Sequence, residues 1–304
     1  MTCASRLWVA WVFACLVALP AHAARLALVI GNDSYSAKQI APLTNARNDA
    51  RLMAQTLKAA GFDVEQVHEN LGHSAMLSVL GRFNARIKKN EDEVVFFYAG
   101  HAVQFKDSAQ VLLPVDIEPE NEFQVAQAGV TIDTVQKALK DARFSLLIID
   151  ACRDNPFPPK PGTTRGLAVQ TGLSLPQPAE GSVVIMSAGV GQRALDYVPG
   201  VQSSRNGLFT HEFVDAMKTP GQPLALLLAD VKTRVQEKAR QKGHLQRPAS
   251  VDESGGRFVF FAAPVAQTPT SVVVQAPVTR VASEQEVEQD YWNAIKDSRD
   301  VQDF

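Results

Sequence analysis

Cysteine is scarce in this chain: there are three in 304 residues, Cys3, Cys15 and Cys152. The first two fall in a stretch that reads as a secretory signal peptide, spanning residues 1–23. Arg6 supplies a positive n-region, LWVAWVFACLVAL an apolar h-region, and AHA at Ala21–Ala23 a small-x-small processing site. Cleavage is expected after Ala23, which makes the protein exported, either periplasmic or secreted. An uncleaved anchor is the alternative, but the run is short for a span and a processing site follows it directly. The mature chain then keeps one thiol and can form no internal disulfide. By itself such a thiol is either a small buried hydrophobe or a reactive group.

Other absences narrow the function. Thirty basic residues stand against thirty-two acidic ones, and no basic stripe marks a nucleic-acid footprint. No later run is long and apolar enough for a transmembrane span. VIGNDSY lacks the further glycines of a dinucleotide fingerprint. His68, His73, His211 and His244 are scattered without metal-ligand spacing and read as surface or helix residues. About 240 residues remain for one globular core.

What is present alternates. RLALVIGN, DVEQVHEN, DEVVFFYAGH, RFSLLIIDA, SVVIMSAG and GGRFVFFA read as six strands, and AVQFKDSAQVLLPVDI as a hairpin around Lys106–Ser108. Between them, TNARNDARLMAQTLKAAGF carries Ala46, Ala50, Met53, Leu57 and Ala60 at helical spacing before Gly61. GHSAMLSVLGRFNARIKK, TIDTVQKALKDA (with Thr131 or Asp133 as cap), GLFTHEFVDAM and PLALLLADVKTRVQEKARQ read as further helices. This order implies an α/β protein: a three-layer α/β/α sandwich around a mostly parallel six-stranded sheet. Long loops run over 153–181 and 190–206. The globular domain is expected over 25–262, a Pro/Val/Thr/Gln-rich linker over 263–284 and a short helical tail over 285–304, read either as truncated from something longer or as a docking segment for a protein partner.

Two strand ends carry chemistry. His101 follows the apolar run FFYAG, and Cys152 ends IIDAC. In a parallel sheet functional groups gather outside the carboxyl ends of the strands. If these two strands are neighbours, about 4.8 Å apart, the residues form a nucleophile and its proton-transfer partner. Asp150 lies two residues before Cys152 and so shares its face.

FFYAGHAVQ and IIDACRDNPF resemble the His and Cys blocks of the caspase-like cysteine peptidases (caspases, metacaspases, paracaspases and bacterial orthocaspases). LALVIGNDSY and LTNARNDARLMAQTLKAAGFDV resemble that family's first strand and helix. The separation 152 − 101 = 51 fits the caspase spacing of about 50 residues. The resemblance covers Arg25 to Ala262 and implies hydrolysis of peptide bonds through a thioester, with Cys152 attacking and His101 protonating the leaving amine. The backbone N–H groups of Cys152 and Ala102 would hold the oxyanion. The family usually has Gly at position 102, and Ala there is strained only if φ is positive.

The resemblance also implies specificity. Asp150 matches the acid that lines the pocket for Arg or Lys in metacaspases and paracaspases, and Asp196 falls where a second pocket acid is placed. A structural role for each, an Asp capping a loop at 150 and a solvated loop Asp at 196, is the alternative. Animal caspases hold aspartate with arginines, and the place of one of these is taken by Leu43. Asn48 and Asp49 match a motif near the first helix, which capping or packing explains equally. Many metacaspases need calcium; no matching acidic cluster is identified in the sequence and calcium activation stays open, while the residues themselves require no cofactor. Arg165 and Arg205, in the two long loops, are candidates for self-processing. The expectation is thus a thiol endopeptidase acting on protein substrates after Arg or Lys. The alternative from another class is an inactive caspase-like scaffold that binds partners.

Overall fold

The computed structural model describes residues 23–104, 110–118, 122–152, 177–189, 192–201, 204–256, 258–264 and 289. All strands and helices below lie in a compact unit ending at Ala263. In chain order they are β1 (Arg25–Gly31), α1 (Ala46–Ala59), β2 (Asp63–Glu69), α2 (His73–Asn84), β3 (Glu93–Gln104), β4 (Gln110–Leu112) and α3 (Glu122–Ala128). There follow β5 (Val130–Thr131), α4 (Ile132–Leu139), β6 (Phe144–Cys152), β7 (Ser182–Met186), α5 (Leu208–Met217), α6 (Leu224–Arg240) and β8 (Ala249–Asp252). The signal-peptide stretch, the hairpin tip, the loop with Arg165 and nearly all of the linker and tail lie outside the described residues.

The sheet order is β2-β1-β3-β6-β7-β8, parallel except for β8. Alternation along β3 and β6 feeds both faces. Val95, Phe97, Leu146 and Ile148 pack with α1, α5 and α6, while Phe96, Tyr98, Leu147 and Ile149 pack with α2 and α4. These strands are therefore apolar throughout, and burying each large side chain contributes about 1.5–3 kcal/mol. The expected α/β/α sandwich is the observed one.

Helix α1 buries Ala46, Ala50, Met53, Ala54 and Leu57 against the sheet and is followed by Gly61 at φ +83°, a conformation suited to glycine. Its cap residue Asn45 makes no side-chain cap bond. Instead Asp196, far along the chain, accepts from the N–H groups of Thr44 (2.6 Å) and Asn45 (3.2 Å). Helix α4 is capped as expected, the Thr131 hydroxyl accepting from Thr134 N–H at 3.0 Å. Helix α2 ends at Asn84, short of the expected Lys89, and α3 is a helix that the sequence pattern did not mark.

The sixth strand is corrected. It is β8, ASVD, antiparallel to β7, and the described residues of GGRFVFFA form no strand. Phe258 and Phe260 are buried, Phe258 stacking on Phe144 at 4.5 Å between centroids. Two carbonyls that a strand would pair are taken by a guanidinium: Arg25 donates to Val259 O (2.7 Å) and Phe260 O (2.8 Å), and also to Ala60 O (2.9 Å) at the end of α1. The same guanidinium lies 4.2 Å from the Phe62 ring centroid.

Close approach of α1 to β1 depends on Gly31, where a Cβ would stand 2.7 Å from Ala46 O and 2.8 Å from Ala50 Cβ. Both are parts of a packed helix that cannot give way locally. Gly31→Ala is expected to destabilise the domain by about 1–3 kcal/mol, read as a lower urea midpoint with an unchanged m-value.

Candidate active site

β3 and β6 are neighbours, and their parallel register runs in nine pairs from Glu93↔Phe144 to His101↔Cys152. The two candidate catalytic residues therefore stand opposite each other at the carboxyl ends of adjacent strands, with the main chains about 4.8 Å apart. Ala99 and His101 direct N–H and C=O toward the β1 side of β3: Asn32 N–H donates to Ala99 O (2.9 Å) and Leu113 N–H to His101 O (2.9 Å). Ala102, paired with Leu112, is then a non-hydrogen-bonded position of the β3–β4 ladder, and its N–H faces the β6 seam beside Cys152. Among the described residues other than glycine only Asn70 and Asn90 have positive φ, so Ala102 carries none of the strain a left-handed position would impose.

The His101 imidazole is buried, with Nε2 2.8 Å from Ala41 O. A carbonyl only accepts, so the proton of the neutral ring sits on Nε2 and Nδ1 is left as the acceptor. Burial pushes the imidazole below its usual range, opposed by the Ala41 carbonyl. The resting ring is thus neutral at pH 7 and fit to take a proton from a thiol.

Behind this edge lies a narrow cleft of about 30 Å³, walled by Leu43, Ala46, Gly100, Ala151, Leu195 and Gly207. Three carboxylates line it: Asp49 of α1, Asp150 of β6 and Asp196 of the loop after β7. Asp150 accepts from Thr210 Oγ1 at 2.6 Å. Asp49 is buried and accepts from Asn206 Nδ2 (2.9 Å) and Gly207 N–H (3.0 Å). A Cβ on Gly207 would lie 3.1 Å from Asp49 Oδ2 and 3.7 Å from Asp150 Oδ2, so both acids flank one point of main chain. No cation is among the described side chains lining the cleft.

The result is electrostatic imbalance. Burial raises Asp150 to about 6, with the hydroxyls of Thr210 and Ser187 easing it. Burial, then the charge of Asp150, holds Asp49 well above the carboxylate range. Asp196 is raised by burial and eased by the Thr44 and Asn45 N–H groups. Position 196 is therefore neither a solvated loop site nor an idle one, since the same carboxylate closes the N-terminus of α1.

Leu43 forms part of the cleft wall. The other described histidines are bonded elsewhere: His73 to Ala128 O, His244 to Arg193 O, His211 to Glu212 and His68 to Gln66. Among the described residues no group of three His, Cys, Asp or Glu side chains is placed to hold a metal ion. Sequence reasoning missed Asp49 as a cleft residue. The signal was there: an acid inside the buried stripe Ala46, Ala50, Met53.

A Cys and a His thus stand on adjacent strand ends of this sheet, with an acidic cleft behind them, as a candidate cysteine peptidase site. The family model for the caspase domain matches residues 24–258. The chain belongs to the caspase-domain family and carries a cysteine-type peptidase domain. Among solved structures it is similar to caspase-1 from Spodoptera frugiperda (TM-score 0.58, 14% identity, covering 80% of this chain and 92% of that one). It is also similar to the structure titled pro-sf-caspase-1 (TM-score 0.56, 13% identity, 79% and 91% covered). No curated protein matches.

The raised Asp150 gives a signed test. The folded state binds its proton more tightly than the unfolded chain, whose carboxylates titrate near 4. The stabilising contribution is complete at low pH and is lost as pH rises through about 6. Asp150→Asn should therefore be more stable than the natural chain at pH 8 and show little gain at pH 4. Urea denaturation at both values checks this.

Proposed function

We propose that the protein is an exported endopeptidase that cleaves after arginine and, less well, lysine. The observation that carries the specificity is a cleft lined by three carboxylates with no cation among its described side chains. A guanidinium offers the bidentate, charge-assisted partner that such acids lack. At about 30 Å³ the cleft holds about two waters, so a side chain enters only with outward displacement of the loop bearing Leu195 and Asp196. That loop is held through Gln246, which accepts from Leu195 N–H (2.9 Å) and donates to Ser187 O (3.0 Å).

In the proposed reaction the Cys152 thiol passes its proton to His101 Nδ1 and the thiolate attacks the scissile carbonyl carbon. Backbone N–H groups of Ala102 and Cys152 receive the oxyanion. The Ala41 carbonyl, already on Nε2–H, favours the imidazolium that forms. Collapse of the tetrahedral species breaks the C–N bond, His101 returns the proton to the leaving amine, and water then hydrolyses the thioester.

The mature chain should cleave fluorogenic Arg peptides, and Cys152→Ala should abolish turnover. Activity equal to the natural chain in that variant would remove Cys152 as nucleophile. Asp150→Ala should lower kcat/KM for Arg peptides about a hundredfold, on the order of 3 kcal/mol, and an Arg-directed acyloxymethyl ketone should label Cys152. Arg205 is exposed in its loop, and we place a self-processing site there or at Arg165. Intact mass of the exported protein should show a chain starting at Ala24 and, on incubation, fragments ending at one of these arginines. A single uncut mass in an active preparation would count against self-processing.

A further inference from the structure

A break in the hydrogen-bond ladder of β3 falls on the catalytic-site histidine. β1 pairs with β3 as far as Ala99 and then turns away. β4 takes up the same side of β3 only from Ala102. The N–H of His101 faces this side, together with its carbonyl, and neither strand meets it. A side chain does: His101 N–H donates to Tyr35 Oη at 2.8 Å. The Tyr35 hydroxyl lies 3.3 Å from Asn32 O, to which it donates. The Tyr35 ring also covers the imidazole, with centroids 4.9 Å apart and planes tilted by 53°.

The neighbourhood is built around this contact. A Cβ on Gly100 would stand 2.5 Å from Tyr98 Oη and 3.0 Å from Tyr35 Oη, so both phenols press on the peptide that leads into His101. Tyr98 Oη lies 2.9 Å from both His101 O and Leu113 O. The stretch from Tyr35 to Ala41 is anchored by Ala37 and Ile40, which pack with Val103, Val111 and Leu113. One short segment therefore holds His101 twice: Tyr35 by the main chain and a ring face, Ala41 by Nε2.

We propose that Tyr35 is a positioning residue of the peptidase, its hydroxyl fixing the main chain of His101 and its ring the plane of the imidazole. With both fixed, Nε2–H stays on the Ala41 carbonyl and Nδ1 stays the open acceptor. Tyr35 takes no proton and touches no substrate; it acts through His101. The proposal rests on the reading of His101 as proton-transfer partner of Cys152.

The test compares Tyr35→Phe and Tyr35→Leu with the natural sequence in the mature chain. Long-range 15N–1H spectra of the histidine rings report the tautomer, with His101 assigned by His101→Ala. The natural chain should show one Nε2–H tautomer for His101. Tyr35→Phe should show averaged ring shifts, with kcat on an Arg peptide down about tenfold and KM within about twofold. Tyr35→Leu should lose about a hundredfold. A merely structural tyrosine would lower the melting temperature of the variants without moving the tautomer. An unchanged tautomer in Tyr35→Phe overturns the proposal, whether or not kcat falls. If neither variant folds, the natural chain still decides: a His101 ring already exchanging between tautomers overturns it. Failure of the peptidase reading looks different, namely a natural chain that cleaves no Arg or Lys peptide, and the spectra do not depend on turnover.

Discussion

The parallel pairing of β3 with β6 is the constraint on which the site depends. Side chains alternate along both strands, so a slip of one residue would exchange the two faces of β6. Asp150 would leave the α1/α5 face, where Asp49 and Thr210 meet it, for the cluster of Tyr98, Ile149 and Ala151. The register is held by packing rather than by the site itself. Val95 and Phe97 with Leu146 and Ile148 fill one face, Phe96 and Tyr98 with Leu147 and Ile149 the other. An apolar core on both sides thus determines that His101 and Cys152 end at the same level.

The charge pattern of the cleft differs from that at two other buried acids, Asp33 and Glu212. Asp33 is met by Arg47 Nε at 2.6 Å, and Glu212 by Lys238 Nζ at 2.5 Å. Both pairs answer a buried carboxylate with a cation, which limits the cost of taking the charge from water. Among the described residues, Asp49 and Asp150 receive neutral donors: an amide, a peptide N–H and the hydroxyls of Thr210 and Ser187. Hydrogen bonds from neutral groups offset part of the burial cost, and both carboxyls stay raised. A cleft kept in this state favours any ligand that brings a fixed positive charge, which is the physical basis of the proposed preference for arginine.

Much of this was legible in the sequence because it rests on side-chain type and period. The runs EVVFFYAGH and FSLLIIDAC announce central strands, and their ends bear His101 and Cys152. The sixth strand was misplaced because Phe258 and Phe260 alternate as a strand does, while the carbonyls between them serve Arg25. ASVD carries little apolar signal, being the edge strand with alternating exposure. Asp49 is ambiguous for a different reason: its place inside the buried stripe of α1 is a signal, but an acid in the first turn of a helix is also ordinary. The grip of Ala41 on Nε2 left no trace at all, since a main-chain carbonyl is present at every position.

The two halves of the site share one length of chain. Between Asp33 and Asn45 it offers Tyr35 and Ala41 to His101, lays Leu43 in the cleft wall, and presents the N–H groups of Thr44 and Asn45 to Asp196. A contact from Leu43 N–H to Asp33 O at 3.0 Å closes this segment into a loop. Asp196 is thus both a wall of the acidic cleft and the acceptor that finishes α1. Drawing its carboxylate toward a bound cation would leave the Thr44 and Asn45 N–H groups unmet, three residues after the carbonyl that holds the imidazole. The orientation of His101 and the charge state of the cleft are therefore not independent quantities. They are set against each other through the thirteen residues from Asp33 to Asn45.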